Sequence, residues 1–354
     1  STVSPADPPW VRRELFPEME IASLRNSIDF FTRRQSRERQ NLDALRRRLA
    51  ADAPDQVVIW GMWNLPRSLP ALAEQLLPDR TAYYMGDYWP TLPNQWRNYW
   101  QAKPRNPLTA LPKLLLKPPA QMLLARETRP PLALERVMFP TRFMRTEFAR
   151  LGYTPKQAPI VYGAIDTKPY LRSPDAAAGG GPLRLLYVGR LTPEKGVHLA
   201  IEALGELERA GKAGRLSLSI AGAGEPEYEN ELRELAERQG LGGRVEFLGA
   251  QPKDALPALY HRSHILLFTS VWAEPFGRAP VEAMAAGLPV IGAPVGGAAE
   301  LLAQEETALR FAPGDAADLA KQIERLASEP ALRARLGRNA REFALSRFDT
   351  ERMT

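Results

Sequence analysis

The sequence predicts an α/β fold of doubly wound parallel sheets. Three observations predict it. From Leu183 onward, short apolar runs alternate with helical stretches, the pattern of βαβ units. Those runs are almost continuously apolar, as strands are when helices cover both faces of their sheet. "LRSPDAAAGGGPL" at 171–183 then divides the chain with small residues and three consecutive glycines, a linker composition. The length of 354 residues suits two domains. The expected division is 1–170, a linker at 171–182, and 183–354.

In the first part, "SIDFFTRRQSRERQNLDALRRRLA" spaces its apolar residues as a helix does. "QVVIW" at 56–60 has the apolar run of a buried strand. "LPRSLPALAEQLL" reads as a helix with prolines near its start, and "TAYYM" at 81–85 as a strand. From Gly86 to Pro118 the chain is rich in Trp, Tyr, Pro and Asn and gives no clear period. "RVMFP" is strand-like and "TRFMRTEFARLG" helical, with Gly152 as its stop. "APIVYGAID" reads as a strand followed by a loop.

In the second part, "LRLLYVG", "LSLSIAG", "RVEFLG", "HILLFTS", "LPVIGA" and "TALRF" read as strands. The helices between them are "EKGVHLAIEALGELERAG", "EYENELRELAERQG", the short "DALPALYHRS", "APVEAMAAG" and a helix start at "GGAAELLA". Two more helices, from about Asp315 and Pro330, close the chain.

Composition narrows the function classes. The chain has no cysteine, which removes disulfides, thiol catalysis and cysteine-bound metal, and fits a reducing compartment. No apolar run approaches the roughly 18 residues of a membrane span, and no signal-peptide pattern opens the sequence. A cytoplasmic location is expected. The net charge of +6 is uneven. Residues 1–170 hold 25 Lys/Arg and 16 Asp/Glu, or +9, which leaves 22 and 25, or −3, for 171–354. Such an excess suits an anionic partner, or else a solvated arginine-rich surface. No nucleic-acid motif accompanies it.

Ligands of doubly wound sheets bind beyond the carboxyl ends of the strands, so the loops there are the places to look. After "LLYVG", "RLTPEKG" places Arg190 and Lys195, with Thr192 as a helix N-cap and Lys195 in the first turn. Cations beside a helix start suit phosphate; the plainer reading is a basic surface pair. After "LSLSIAG", Gly222 and Gly224 permit a ligand near the backbone or simply a tight turn.

After "HILLFTS" comes "AEPFGRAPVEAMAAGLPVIGAPVGGAAELL". Here Glu274 precedes a helix and Glu282 falls in its first turn, where the macrodipole favours a carboxylate by about 0.3–1 kcal/mol. Helix capping accounts for Glu282 but not for Glu274. Cations and amides suit a diphosphate, and carboxylates suit hydroxyls. His198, His261 and His264 show no metal-ligand spacing and are expected to pack. Residues 113–127 mix lysines with leucines, as a segment resting on an anionic membrane surface does. Two prolines interrupt it, so ordinary packing is expected over a continuous amphipathic helix.

With these residues in place, the half from about 183 to 345 resembles the nucleotide-sugar domain of GT-B glycosyltransferases, in particular the large retaining family four. The matching segments are "YVGRLTPEKG", "IAGAGEPEYENEL", "VEFLGAQPKDALPALYHRSHILLFTS" and the two-glutamate stretch. "FPTRFMRTEFARLGY" and "VYGAID" are similar to the family's segment before its crossover, while 1–135 match weakly.

The resemblance implies two Rossmann-like domains facing across a cleft, the first on the acceptor side. It implies that Arg190 and Lys195 hold a leaving diphosphate. Glu274 would bind the sugar with the amides of Phe276, Gly277 and Arg278, Glu282 would bind the ribose, and the loops at Gly222 and Gln251 would border the nucleotide. It implies no cofactor or metal, and the sequence has no Asp-x-Asp pair. The partners would be a nucleotide-sugar donor and a glycan or lipid-linked acceptor, with peripheral membrane contact as an option. The alternatives are a non-catalytic nucleotide-sugar binder and a GT-B phosphorylase or epimerase.

Three features depart from the family pattern. Its opening strand and glycine-rich loop have no counterpart here. Gly86 stands before Asp87 where many members have His. The final helix stops after "SRFDTERMT". On that reading pieces are missing at both ends.

Overall fold

The computed structural model describes residues 11–20, 23–104, 107–171 and 182–352. It divides into two compact units. Unit 1 is Ser1–Phe139 with Phe148–Pro159; unit 2 is Pro140–Glu147 with Ile160–Thr354. The expected linker at 171–182 lies outside the described residues except for its two ends. By packing, the units part earlier, at 159/160, and 140–147 go with the second.

Unit 1 opens with α1 (Asn26–Thr32) and α2 (Arg34–Asp52), two helices where the sequence suggests one. A parallel sheet of β1 (Val57–Trp60), β2 (Thr81–Tyr84) and β3 (Val137–Met138) follows, with α3 (Ser68–Leu76) joining the first two strands. β1 is not buried as its apolar run suggests, because Val58 and Trp60 are exposed on one face. The stretch without a period folds as α4 (Gln95–Gln101) and α5 (Pro107–Arg126). The expected interruption of 113–127 does not occur: α5 runs continuously through Pro112, Pro118 and Pro119. Phe30, Trp96, Trp100, Ala120 and Leu124 pack α1, α4 and α5 together, with Phe30 edge-on to both tryptophans. After β3 comes α6 (Arg142–Arg150), stopped by Gly152 at φ +89°. The strand expected in "APIVYGAID" does not form.

Unit 2 is the regular alternation that the sequence predicts. In chain order it comprises β4 (Leu183–Val188), α7 (Val197–Arg209), β5 (Leu216–Ala221), α8 (Pro226–Arg238), β6 (Val245–Gly249), α9 (Leu256–Arg262), β7 (Ile265–Phe268), α10 (Arg278–Ala285), β8 (Val290–Gly292), β9 (Ala308–Arg310), α11 (Ala316–Ser328) and α12 (Pro330–Arg347). The helix expected at "GGAAELLA" is a single 3₁₀ stretch, Gly296–Glu300. All strand pairs are parallel, in the order β6-β5-β4-β7-β8-β9.

Strand alternation sends successive side chains to opposite faces. Leu185 and Leu267 join a core with α7, α8 and α11; Leu186 and Leu266 join another with α9, α10 and the end of α12. This two-sided burial is why the central strands read as almost continuous apolar runs. Each fully buried Leu or Ile contributes about 1.5–3 kcal/mol.

Unit 1 also holds a half-buried acid. Glu18 accepts the Gln95 backbone N–H at 3.0 Å, at the start of α4. Burial pushes its carboxyl up to about 7, against the Gln95 N–H, which lowers it, and with the help of Glu127 and Glu38. A carboxyl whose folded pKa is raised stabilises the fold fully below its unfolded pKa of about 4.5 and loses that contribution as pH rises through about 7. Unit 1 is therefore expected to lose stability between those values, by at most about 3 kcal/mol. Glu18→Gln is expected to remove that slope in urea unfolding followed across the same range; an unchanged slope contradicts it.

Candidate active site

The strand order of unit 2 reverses between β4 and β7. Connections from β4 build the sheet toward β6, and those from β7 build it toward β9. Loops leaving these two neighbours diverge, and such a switch point is where doubly wound sheets bind ligands. Arg190 and Lys195 lie on the loop after β4, and Glu274 lies on the loop after β7.

The two loops are laced together. Val271 and Trp272 donate backbone N–H bonds to the Glu194 carbonyl at 3.0 and 3.3 Å. Thr269 Oγ1 donates to the Lys195 carbonyl at 3.1 Å. Gly196 sits at φ +65°, and a Cβ there would overlap the Thr269 carbonyl oxygen. Only glycine combines that φ with that approach at no steric cost. Lys195 closes a 3₁₀ turn, Pro193–Lys195, ahead of α7. This corrects its expected place in the first helical turn, and Thr192 makes no side-chain capping bond.

The lacing brings Lys195 Nζ onto Glu274 Oε1 and 5.0 Å from the centre of the Trp272 ring. The two side chains are only 17% and 9% exposed. A pair this enclosed loses hydration, and removing one partner leaves the other uncompensated, at about 3–5 kcal/mol. Glu274 is fixed from behind as well: Gly297 donates to its carbonyl at 2.6 Å and Thr141 Oγ1 to the Pro275 carbonyl at 2.8 Å. The Phe276 ring is buried edge-on to Phe348, 5.6 Å between centres. Its amide and those of Gly277 and Arg278, at the start of α10, have no acceptor among the described residues.

Glu282 is the fifth residue of α10, one turn further in than expected, so a first-turn dipole contact does not explain it. Tyr260 donates to its Oε2 at 2.9 Å, and Arg278 stands 3.7 Å from Oε1. Burial raises its pKa, and the Tyr260 hydrogen bond and Arg278 only partly offset this.

The remaining expected residues sit less centrally. Arg190 is exposed, and its carbonyl accepts the Tyr187 hydroxyl at 2.9 Å. At Gly222 the close approach is to the chain itself, since a Cβ would overlap the Gly189 carbonyl. Gln251 donates to the Leu248 carbonyl at 2.7 Å, within its own turn. The histidines bond to other groups of unit 2: His198 with Tyr228, His261 with the Tyr170 carbonyl, and His264 with the Arg184 amide. Among the described residues, no three His, Asp or Glu side chains gather as metal ligands would.

Unit 1 contains a cavity of about 120 Å³ that sequence reasoning missed, lined among others by Glu18, Arg34, Arg67, Trp89 and Trp96. The ring N–H groups of Trp89 and Trp96 are buried there without a partner. The dense Trp, Asn and Pro of residues 86–118 was the signal.

Residues 173–343 match the family described as glycosyl transferases group 1. The glycogen synthase of Mycobacterium tuberculosis is 37% identical over 169 residues, covering 48% of this chain and 40% of that protein. The D-inositol 3-phosphate glycosyltransferase of Corynebacterium efficiens is 34% identical over 160 residues, covering 45% and 38%. The matched region thus spans about two fifths of these curated relatives. The structure of Anabaena HepE in complex with UDP superimposes with a TM-score of 0.65 at 24% identity, covering 88% of this chain and 78% of that one. Sucrose-phosphate synthase from Thermosynechococcus elongatus does so with 0.66 at 22%, covering 91% and 76%. The fold is that of the GT-B glycosyltransferases.

Gly196→Ala tests the lacing. It is expected to lower the unfolding free energy by about 2–4 kcal/mol, since it combines a left-handed φ with overlap on a backbone carbonyl. An unchanged urea midpoint contradicts the lock.

Proposed function

We propose that this chain, whose residues 173–343 match the glycosyl transferases group 1 family, is a retaining glycosyltransferase. It moves a sugar from a nucleoside diphosphate donor to a hydroxyl on a glycan or lipid-linked acceptor. The observation that carries the reading is the Lys195–Glu274 pair, held on the two loops that leave the switch point of the sheet. The names of the curated relatives, which are sugar-transfer enzymes, support it, as does the UDP complex of HepE.

In this reading Lys195 and Arg190 hold the diphosphate. The ammonium of Lys195 is shared between phosphate oxygen and Glu274, whose second carboxylate oxygen accepts a sugar hydroxyl. The amides of Phe276, Gly277 and Arg278 add donors, a set suited to developing negative charge. Glu282 accepts ribose hydroxyls through Oε1. The bond from the anomeric carbon to the diphosphate breaks as the acceptor oxygen bonds on the same face. The acceptor proton passes to the departing phosphate oxygen. Catalysis is then positioning and charge stabilisation.

A panel of UDP-, GDP- and ADP-sugars with hydroxyl acceptors, read by the anomeric configuration of the product, tests the reading. Lys195→Ala is expected to lower transfer by about 10²–10³-fold while the far-UV spectrum is kept. Glu274→Gln is expected to bind the nucleoside diphosphate and to transfer poorly. Transfer at the unaltered rate in both variants would refute the assignment.

A further inference from the structure

Thr141 is fully buried, and its hydroxyl has two partners. It accepts the Met144 N–H at 3.2 Å, the bond of a residue that caps the start of α6. It donates to the Pro275 carbonyl at 2.8 Å, 134 residues away in the chain. A hydroxyl carries one proton. The Met144 N–H brings its own and a carbonyl brings none, so the hydroxyl proton lies on the Pro275 bond. Both ends of that bond belong to unit 2, because 140–147 pack with it. Capping accounts for the first bond and leaves the second unexplained. An aspartate would cap α6 at least as well, but when ionised it has no proton for the second bond.

The second bond sets the direction of an amide. A trans peptide is planar and turns its carbonyl and its N–H to opposite sides. The Pro275 carbonyl and the Phe276 N–H share one such plane, and the described residues contain no cis peptide. With the oxygen held by Thr141, the Phe276 N–H points away from Thr141, and it has no acceptor among the described residues. No other described group donates to the Pro275 carbonyl. The space behind the loop is filled. A Cβ at Gly297 would overlap the Pro275 oxygen and the Thr141 hydroxyl, and the Gly297 N–H holds the Glu274 carbonyl at 2.6 Å. Glu300, at the end of the same 3₁₀ stretch, accepts the Phe143 N–H at 2.8 Å and fastens the start of α6 to it. The start of α6, the 3₁₀ stretch and the loop after β7 thus form one hydrogen-bonded block, and Thr141 is its link to the Phe276 peptide.

We propose that Thr141 is a positioning residue for sugar transfer: its hydroxyl aims the Phe276 amide at the sugar of the donor, beside the Glu274 carboxylate. The inference rests on the proposed function, which supplies the donor. A misaimed amide costs the transfer of the sugar more than the binding of a free nucleoside diphosphate, which has no sugar to hold.

Kinetics, calorimetry and urea unfolding of Thr141→Val, Thr141→Ala and Thr141→Ser test it, with the donor and acceptor that the unaltered chain uses from the panel of UDP-, GDP- and ADP-sugars. Thr141→Val keeps the volume and Thr141→Ala leaves room, but neither can donate or cap, whereas Thr141→Ser does both. Thr141→Val and Thr141→Ala are expected to lower kcat about 10-fold, with the Kd of the free nucleoside diphosphate kept within about 2-fold and the far-UV spectrum unchanged. Thr141→Ser is expected to keep kcat within about 2-fold of the unaltered chain. A lower urea midpoint with unaltered kcat is the mark of a helix cap and nothing more, and overturns the proposal. Equal losses of kcat and of nucleoside diphosphate affinity overturn it too, as does a Thr141→Ser variant as slow as Thr141→Val. Lys195→Ala, measured alongside, separates this inference from the reading it rests on. Transfer lost there but kept in Thr141→Val and Thr141→Ala sinks the inference alone. Transfer kept in Lys195→Ala, or none by the unaltered chain with any donor, overturns both.

Discussion

The site in unit 2 depends on one constraint: two strand-end loops must touch along their backbones. The Thr269 carbonyl occupies the space a side chain at 196 would need, and the Glu194 carbonyl accepts from two amides of the other loop. With the backbones fixed this closely, Lys195 and Glu274 have little choice but to meet, under the Trp272 ring. Their enclosure makes the pair costly to break from one side. It also makes it sensitive to an anion that brings further charge to the lysine.

Much of this was legible in the sequence, because two-sided burial leaves a strong trace. The central strands β4 and β7 are almost continuously apolar, since Leu185 and Leu186, or Leu266 and Leu267, each enter a different core. The loops followed from the strands, and the candidate residues from the loops. What the sequence could not show was which residues answer to neighbours distant in the chain. Gly222 read as room for a ligand or as a tight turn, and its space is taken by the Gly189 carbonyl. Glu282 looked like a first-turn acid, but its partner is Tyr260, twenty-two residues earlier.

Unit 1 was harder to read for a related reason. Its strands are few and one is exposed on a face, so the period is weak. Its helices are held by large aromatic rings from short segments, with Trp96 and Trp100 buried against Phe30. Prolines that elsewhere end a helix lie within α5 and are exposed to solvent. Reading prolines as breaks therefore hid a continuous helix, with Leu108, Leu111, Leu114 and Leu115 exposed on it.

The central claim is that a nucleoside diphosphate is held at the loops after β4 and β7. Hydrogen–deuterium exchange with and without UDP, GDP or ADP tests it most directly. The account predicts that one of them slows exchange in peptides covering 189–197 and 274–282 together, because amides at both loops gain partners. Slowed exchange confined to other segments, or no change with any of the three at saturating concentration, would contradict it.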